Sequence, residues 1–412
     1  MAGSGQSKTS SSGDRHLTDA APARWRYLAL LASGELLGMS LWFAASAVAP
    51  QLAALWSLTP AQSAWLITIV QLGFVAGTAT SAILNLADIV PSRLLFAVAA
   101  ALAAIANAAV LRAPGFESAL ALRFFTGFFL AGVYPPAMKM VATWFQSQRG
   151  LAIGTIVGAL TIGKATPYLI HAFPLADATP VLLVASGGAM LGALLVGLFF
   201  REGPFRFVPR VFSWSLVASV VRIREWRLST GSYLGHMFEL YAFWAWVPSF
   251  LAASAPGARP STVSLIAFTT IAIGGAGCVW GGISADKKGR ERLVTISLVV
   301  SGGCCLGSVM FFGAPLLGLS LITFVWGFFV IADSAQFSTL VTESVPQHAI
   351  GTALTLQTSL GFLLTMIPVQ LVPLLAGRAG WRWAFVALSI GPMAGIVAIR
   401  KLRLLRAPPA PA

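Results

Sequence analysis

Six ionisable side chains stand deep inside stretches that are otherwise apolar: Glu35, Arg123, Lys164, His236, Glu239 and Asp333. In a bilayer each costs several kcal/mol unless it has a partner, a water-filled cavity or a task. By helical rise, Arg123 lies about 10 Å below one surface, and Lys164 lies about 20 Å from the other, on the next helix. The two cations therefore fall at one depth, where together they would attract an anion. Structural pairing of Arg123 within its own half is the competing reading. His236 and Glu239 are three apart, on one helical face, with Glu239 about 16 Å in. Carboxylates in low dielectric take up protons near neutral pH, and histidine titrates there unperturbed, so this pair is the first candidate for proton coupling. Glu35 and Asp333 are further candidates, or partners of basic residues across a gate. Gln71, Tyr241 and Trp244 complete the candidate solute path, although packing is the plainer reading of the two aromatics.

The elements that must position these groups are membrane helices. Of 412 residues, 57% are hydrophobic and 10% charged, where a soluble domain carries about 25% charged residues. Twelve apolar runs of membrane-spanning length begin near Tyr27, Ser63, Leu94, Phe116, Leu151, Pro180, Leu228, Ser261, Leu293, Leu316, Ile350 and Trp383. Both chain ends then fall on one side of the membrane. That side collects twenty of the 27 basic residues, against four on the other (Arg112, Arg259, Arg378, Arg382) and three within spans. This bias puts both ends in the cytoplasm of an inner-membrane protein and accounts for the net charge of +14 without a nucleic-acid partner. Residues 1–24 form a polar, Ser/Gly-rich tail without a cleavable leader, 25–200 a first six-helix bundle, 228–400 a second, and 401–412 a closing tail. Between the bundles, residues 201–227 interleave arginines with aromatics such as Phe205, Phe207, Phe212 and Trp214, the pattern of a helix lying on the inner leaflet. Cys278, Cys304 and Cys305 lie in spans and read as small buried hydrophobes. No cofactor or metal is expected.

The two bundles repeat each other. Gly127-Phe128-Phe129 returns as Gly327-Phe328-Phe329, and Ala152-Ile153-Gly154-Thr155 as Ala349-Ile350-Gly351-Thr352. Trp25-Arg26 and Trp226-Arg227 align before spans one and seven, which makes Glu35 and His236 equivalent. Tyr134-Pro135-Pro136 should break span four, because proline removes a donor and clashes with the preceding turn. Such breaks in lipid persist where protein or a cavity satisfies the freed carbonyls. Lys139, near the inner end of that span, is placed to snorkel.

The loop from Gly282 to Arg292 resembles the Gly-x-x-x-Asp-Arg-x-Gly-Arg-Arg loop of the major facilitator superfamily, with Lys287 in place of the first arginine. Its first-half counterpart keeps Asp88 and Arg93, with Leu84 for the glycine and Ser92 for the second. Arg123-x-x-Thr126-Gly127 is similar to the superfamily's span-four element. Tyr134-Pro135 through Gly150 is similar to its anion-symporting branches, including nitrate and cyanate porters. The resemblance implies two pseudo-symmetric six-helix bundles around a central cavity, alternately open to each side. It implies a cytoplasmic gate built from Asp88, Arg93, Gly282, Asp286, Gly289 and Arg290. Exporters of the superfamily carry Gly-Pro after a span-five glycine repeat; here Ala159 follows Gly158, which counts against export.

These features together point to a non-enzymatic, all-α secondary transporter working as a monomer, importing a small anionic solute with protons. Proton-linked efflux of drugs or metabolites is the alternative within transport. A membrane-embedded enzyme or receptor is the alternative from another class.

Overall fold

The computed structural model describes residues 22–146, 148–173, 178–205 and 213–407, and of Ala87 the backbone only. The start of the first tail (Lys8 and Arg15 with it), Arg206, Phe207, Arg210 and Phe212 of the linker, and the last five residues lie outside the described residues.

The described chain forms twelve successive helical rods. In the first half α1 is Ala23–Met39, continued past a break by Ala44–Ala47 and Ala49–Trp56. It is followed by α2 Pro60–Ile83, α3 Ser92–Ala109, α4 Phe116–Leu130 with Tyr134–Ala142, α5 Arg149–His171 and α6 Ala178–Phe199. The second half holds α7 Arg224–Ser254, α8 Pro260–Lys288, α9 Arg290–Phe311 and α10 Leu316–Ala332 with Ser334–Ser344. It ends with α11 Ile350–Ala379 and α12 Trp381–Ala384 with Ile390–Arg406. Ten rods among the described residues are long and apolar enough to cross a membrane. The others are α1, whose first unbroken piece has 17 residues, and α7, which dilutes its apolar residues with Arg224, Glu225, Arg227, His236 and Glu239.

Packing follows the internal repeat. In the first half α2 packs on α4, α1 on α5 and α6, and α3 on α6; in the second, α8 packs on α10, α7 on α11 and α12, and α9 on α12. Two seams join the halves, α5 against α8 and α2 against α11, which the same symmetry exchanges. Glycine decides how close the rods come. A Cβ at Gly77 would strike the Phe128 carbonyl, and one at Gly127 the Val70 carbonyl; the same contacts recur as Gly277 on Phe328 and Gly327 on Thr270. Small residues here let backbones touch where no hydrophobic force drives helices together in lipid.

The expected break in α4 is present: its first piece ends at Leu130 and the second begins at Tyr134, so the prolines fall in the first turn of a new helix, where they cost no hydrogen bond. A matching break in α10 falls at Asp333. Pro167, by contrast, is carried inside α5. The linker contains the helix Trp214–Arg222, with Trp214 exposed and Val220 buried against Val341, Val345 and Ala353.

Alanine at Gly127 or Gly327 should force a rod apart and cost about 1–3 kcal/mol of overpacking. Thermal unfolding in detergent would show both variants melting well below Gly187→Ala, whose added Cβ meets nothing within 4 Å. Equal melting of all three would refute this account of the repeat.

Candidate functional site

Both seams are closed on the face away from the chain ends. His171 at the end of α5 lies 2.9 Å from Gln51 and 2.9 Å from Ser264 of α8, and Gln370 of α11 donates to Thr68 of α2 at 2.9 Å. Below these contacts, towards the face carrying both ends, a cavity of about 50 Å³ lies between the halves. Met39, Tyr134, Lys164, Tyr241, Trp244 and Gln357 are among its walls.

Lys164 is the only basic residue lining that cavity among the described residues, and it has no solvent exposure. Its Nζ lies 4.1 Å from the centroid of Trp42, 4.5 Å from Tyr241, 5.6 Å from Trp244 and 5.9 Å from Phe362. It also donates to the Tyr241 hydroxyl. The rings pack on one another as well, Trp42 on Phe74 at 5.3 Å and Phe74 on Phe362 at 4.5 Å. The cage draws on α1, α7 and α11, hence on both halves, with Phe74 of α2 packed behind it. Cation–π attraction in a desolvated site is worth about 2 kcal/mol, far less than a buried ion costs without a counter-charge. No carboxylate lies within ion-pair distance of Lys164 among the described residues. Around it, Trp42 Nε1, Trp244 Nε1 and Gln357 Nε2 are buried donors without hydrogen-bond partners. The site gathers unpartnered donors near one cation, with which the unpartnered Glu35 carboxyl interacts electrostatically beyond ion-pair distance.

Arg123 shares the neighbourhood but faces elsewhere. It donates to the Leu41 carbonyl at 3.0 Å, the Trp42 carbonyl at 2.6 Å and Asn107 Oδ1 at 3.2 Å. It holds the break in α1, and through it the backbone that carries the Trp42 ring. The cationic pair expected from depth therefore divides: Lys164 lines the cavity and Arg123 does not.

The acidic residues divide as well. His236 Nδ1 lies 2.9 Å from Asp333 Oδ1, both buried, at the break in α10. Glu239 is turned to α9 and α10, where it accepts from Ser301 at 2.9 Å, Cys305 at 3.2 Å and Trp326 at 2.6 Å. Three residues along a helix are offset by about 60°, enough to send His236 and Glu239 to different neighbours. Glu35 is fully buried, and neither carboxyl oxygen has a hydrogen-bond partner among the described residues. A Cβ at Gly163 would strike the Leu36 carbonyl, so α1 and α5 touch one residue from Glu35 and one from Lys164. Met39, one turn beyond Glu35, lines the cavity. Gln71 donates back to its own helix, to the Thr68 carbonyl at 2.9 Å, and stays out of the cavity.

At the face carrying the chain ends, Lys139 pairs with Asp88 at 2.7 Å, so it has a partner where snorkelling alone was expected. The Asp286 carboxylate lies beside Gly150 at the start of α5, where the helix dipole favours an anion. Gly282 lies against the Gly150 carbonyl, Gly289 turns the chain with φ +87°, and Arg93 is exposed. Arg290 reaches Asp286 at 3.9 Å and Glu343 at 3.2 Å. Arg406 ties Glu225, Glu291 and Glu343 together at 3.1–3.4 Å.

Two sequence-repeated helical halves about a central cavity are the architecture of a membrane transporter. The profile of the Major Facilitator Superfamily matches residues 30–369, and the chain belongs to that family. It is therefore a multi-pass membrane transporter of small-molecule solutes and not an enzyme. Among solved structures, a bacterial homologue of the human lysosomal transporter Spinster shares the fold. Its inward-facing unoccupied and occupied forms each superpose with TM-score 0.70 at 17% and 16% identity, covering 95% of this chain and 100% of theirs. A stretch of 119 residues, 29% of this chain, is 35% identical to the niacin transporter NiaP of Acinetobacter baylyi (strain ATCC 33305 / BD413 / ADP1), and it spans 27% of that protein.

Sequence reasoning passed over Trp42, Phe74, Phe362 and Gln357 as site residues. Gln357 alone carried a signal, as a polar side chain within an apolar span.

Replacing Arg123 by Met should leave two carbonyls and Asn107 without their donor, at roughly 1–3 kcal/mol for each orphaned group. A marked fall in melting temperature in detergent is expected. A variant of full stability that has lost only solute binding would make Arg123 a solute ligand instead.

Proposed function

We propose that the protein is a proton-coupled symporter of a small anionic solute, with Lys164 as the anion site. The observation that carries this reading is the buried Lys164 side chain at the cavity, with no carboxylate within ion-pair distance and with unpartnered N–H donors on Trp42, Trp244 and Gln357 of the same cluster. An acceptor-rich anion supplies what every one of these groups lacks. The partial similarity to a niacin transporter supports the reading, because niacin is a carboxylic acid.

Glu35 is our choice of proton carrier. It is buried, unpartnered and beside the α1–α5 contact next to Lys164, whereas Glu239 already accepts three hydrogen bonds away from the cavity. The His236–Asp333 pair, at the α10 break, is positioned to respond to a proton during rearrangement. A proton on Glu35 removes a negative charge that would repel the arriving anion, so the two would load together and leave together. Gating would use the Asp286 contact with α5 on one face and the His171 bridge on the other. The basic residues of the face with the chain ends support an inner-membrane orientation with that face in the cytoplasm. One twelve-rod unit encloses the cavity, which supports function as a monomer.

The test is solute-evoked proton movement in liposomes carrying the purified protein. Small carboxylates, nitrate and cyanate should alkalinise the outside, and Lys164→Ala should abolish the response at least tenfold. Proton movement evoked by lipophilic cations and by no anion would replace this reading with efflux. Glu35→Gln should stop net uptake yet preserve exchange of internal for external solute, because exchange needs no net proton step. Unchanged proton-coupled uptake in this variant would move the proton site elsewhere.

A further inference from the structure

The walls of the cavity specify more than a negative charge. Lys164 is the only basic side chain among the described lining residues, because Arg123 is engaged with the α1 carbonyls. A second negative charge on the solute would therefore enter a low-dielectric site without a partner, at several kcal/mol. Beside the ammonium stand four ring systems, Trp42, Tyr241, Trp244 and Phe362, contributed by both halves, with Phe74 packed on Trp42 and Phe362. In the present arrangement the lysine ammonium itself fills their cage, 4.1 Å from the Trp42 centroid. The free volume of about 50 Å³ is below the roughly 150 Å³ in which a dry protein cavity holds benzene. Entry of a solute must therefore move the ammonium out from between the rings, and a flat aromatic body is the replacement their faces favour.

Gln357 supplies the third element. It is 2% exposed, lines the cavity, and its Nε2 has no hydrogen-bond partner among the described residues. It lies on α11, five residues before Phe362, and hence about 7.5 Å nearer the face with the chain ends. Lys164 and Gln357 line the same cavity, the amide on the side of it nearer that face. A buried donor left open in the same cavity as the cation suits a ligand that carries an acceptor at the edge away from its carboxylate.

We infer that the solute is a monoanionic aromatic carboxylate: its carboxylate on Lys164, its ring among Trp42, Tyr241 and Phe362, and a ring nitrogen or hydroxyl accepting from Gln357. This rests on Lys164 being the anion site. It adds the number of charges, the shape and the position of the acceptor.

The test measures half-saturation of solute-evoked proton movement in the same liposomes. The probes are nicotinate, 4-hydroxybenzoate, benzoate, cyclohexanecarboxylate and terephthalate. The expected order places the two acceptor-bearing acids first, benzoate on the order of tenfold weaker, cyclohexanecarboxylate weaker again, and terephthalate without response. Gln357→Leu should bring the nicotinate-to-benzoate ratio to about one. Gln357→Glu, which puts an acceptor in the donor's place and keeps a polar side chain of the same size, should bring it to one or below. A melting temperature near wild type in either variant makes its ratio decisive. Cyclohexanecarboxylate or terephthalate equal to benzoate would overturn the aromatic monoanion while leaving an anion site at Lys164. A response to no carboxylate, nitrate or cyanate would overturn the anion site itself.

Discussion

A fully buried lysine whose electrostatic counterpart, Glu35, stays beyond ion-pair distance is the constraint around which this molecule is arranged. Lys164 is withdrawn from bulk solvent, and aromatic faces with one phenol oxygen compensate only part of the loss. The halves close on that group: rings from α1, α7 and α11 converge on it, and its hydrogen bond to Tyr241 joins α5 to α7. A transporter needs a central site that is strained when empty and satisfied when loaded, because binding can drive rearrangement only through a difference in free energy between states. Under the proposed function, Lys164 supplies such a difference.

The other buried charges contrast with it and explain why it can be singled out. Arg123 is hydrogen-bonded to two carbonyls and an amide oxygen, and Glu239 accepts from a serine, a thiol and an indole. Each knits three rods of its own half, α1, α3 and α4 around the arginine, α7, α9 and α10 around the glutamate. Polar groups satisfied in this way make a half behave as one rigid body. Glu35 has no hydrogen-bond partner among the described residues and Lys164 only the Tyr241 hydroxyl, and both lie at the α1–α5 contact. Rigid halves meeting at a labile centre are what rocking about a site requires.

The pseudo-symmetry extends to the glycine contacts, where Gly77–Phe128 and Gly127–Val70 are repeated by Gly277–Phe328 and Gly327–Thr270. It fails at the charges. His236 stands where Glu35 stands in the other half, and Asp333 pairs with it, whereas Glu35 has no such partner. Duplication built the frame, and divergence of a few polar positions within it distinguishes the half that holds the lysine from the half that supplies most of the cage.

Read alone, the sequence determined the rods, their number, the break at Tyr134-Pro135 and the family, because apolar run length, proline chemistry and a charged loop motif are local properties. It also marked Lys164 and Glu35 as charges needing an explanation, since the cost of burial depends on depth. Only the tertiary structure separated Lys164 from Arg123, turned His236 to Asp333 and Glu239 to Trp326, and placed Trp42, Phe362 and Gln357 at the site. Two cations at one depth look alike along the chain. Which one finds acceptors depends on the rods around it, and α1 breaks at Ser40–Phe43 without proline or glycine there, its freed carbonyls taken by an arginine more than eighty residues away. Depth is written in the order of residues; direction and partner are set by packing.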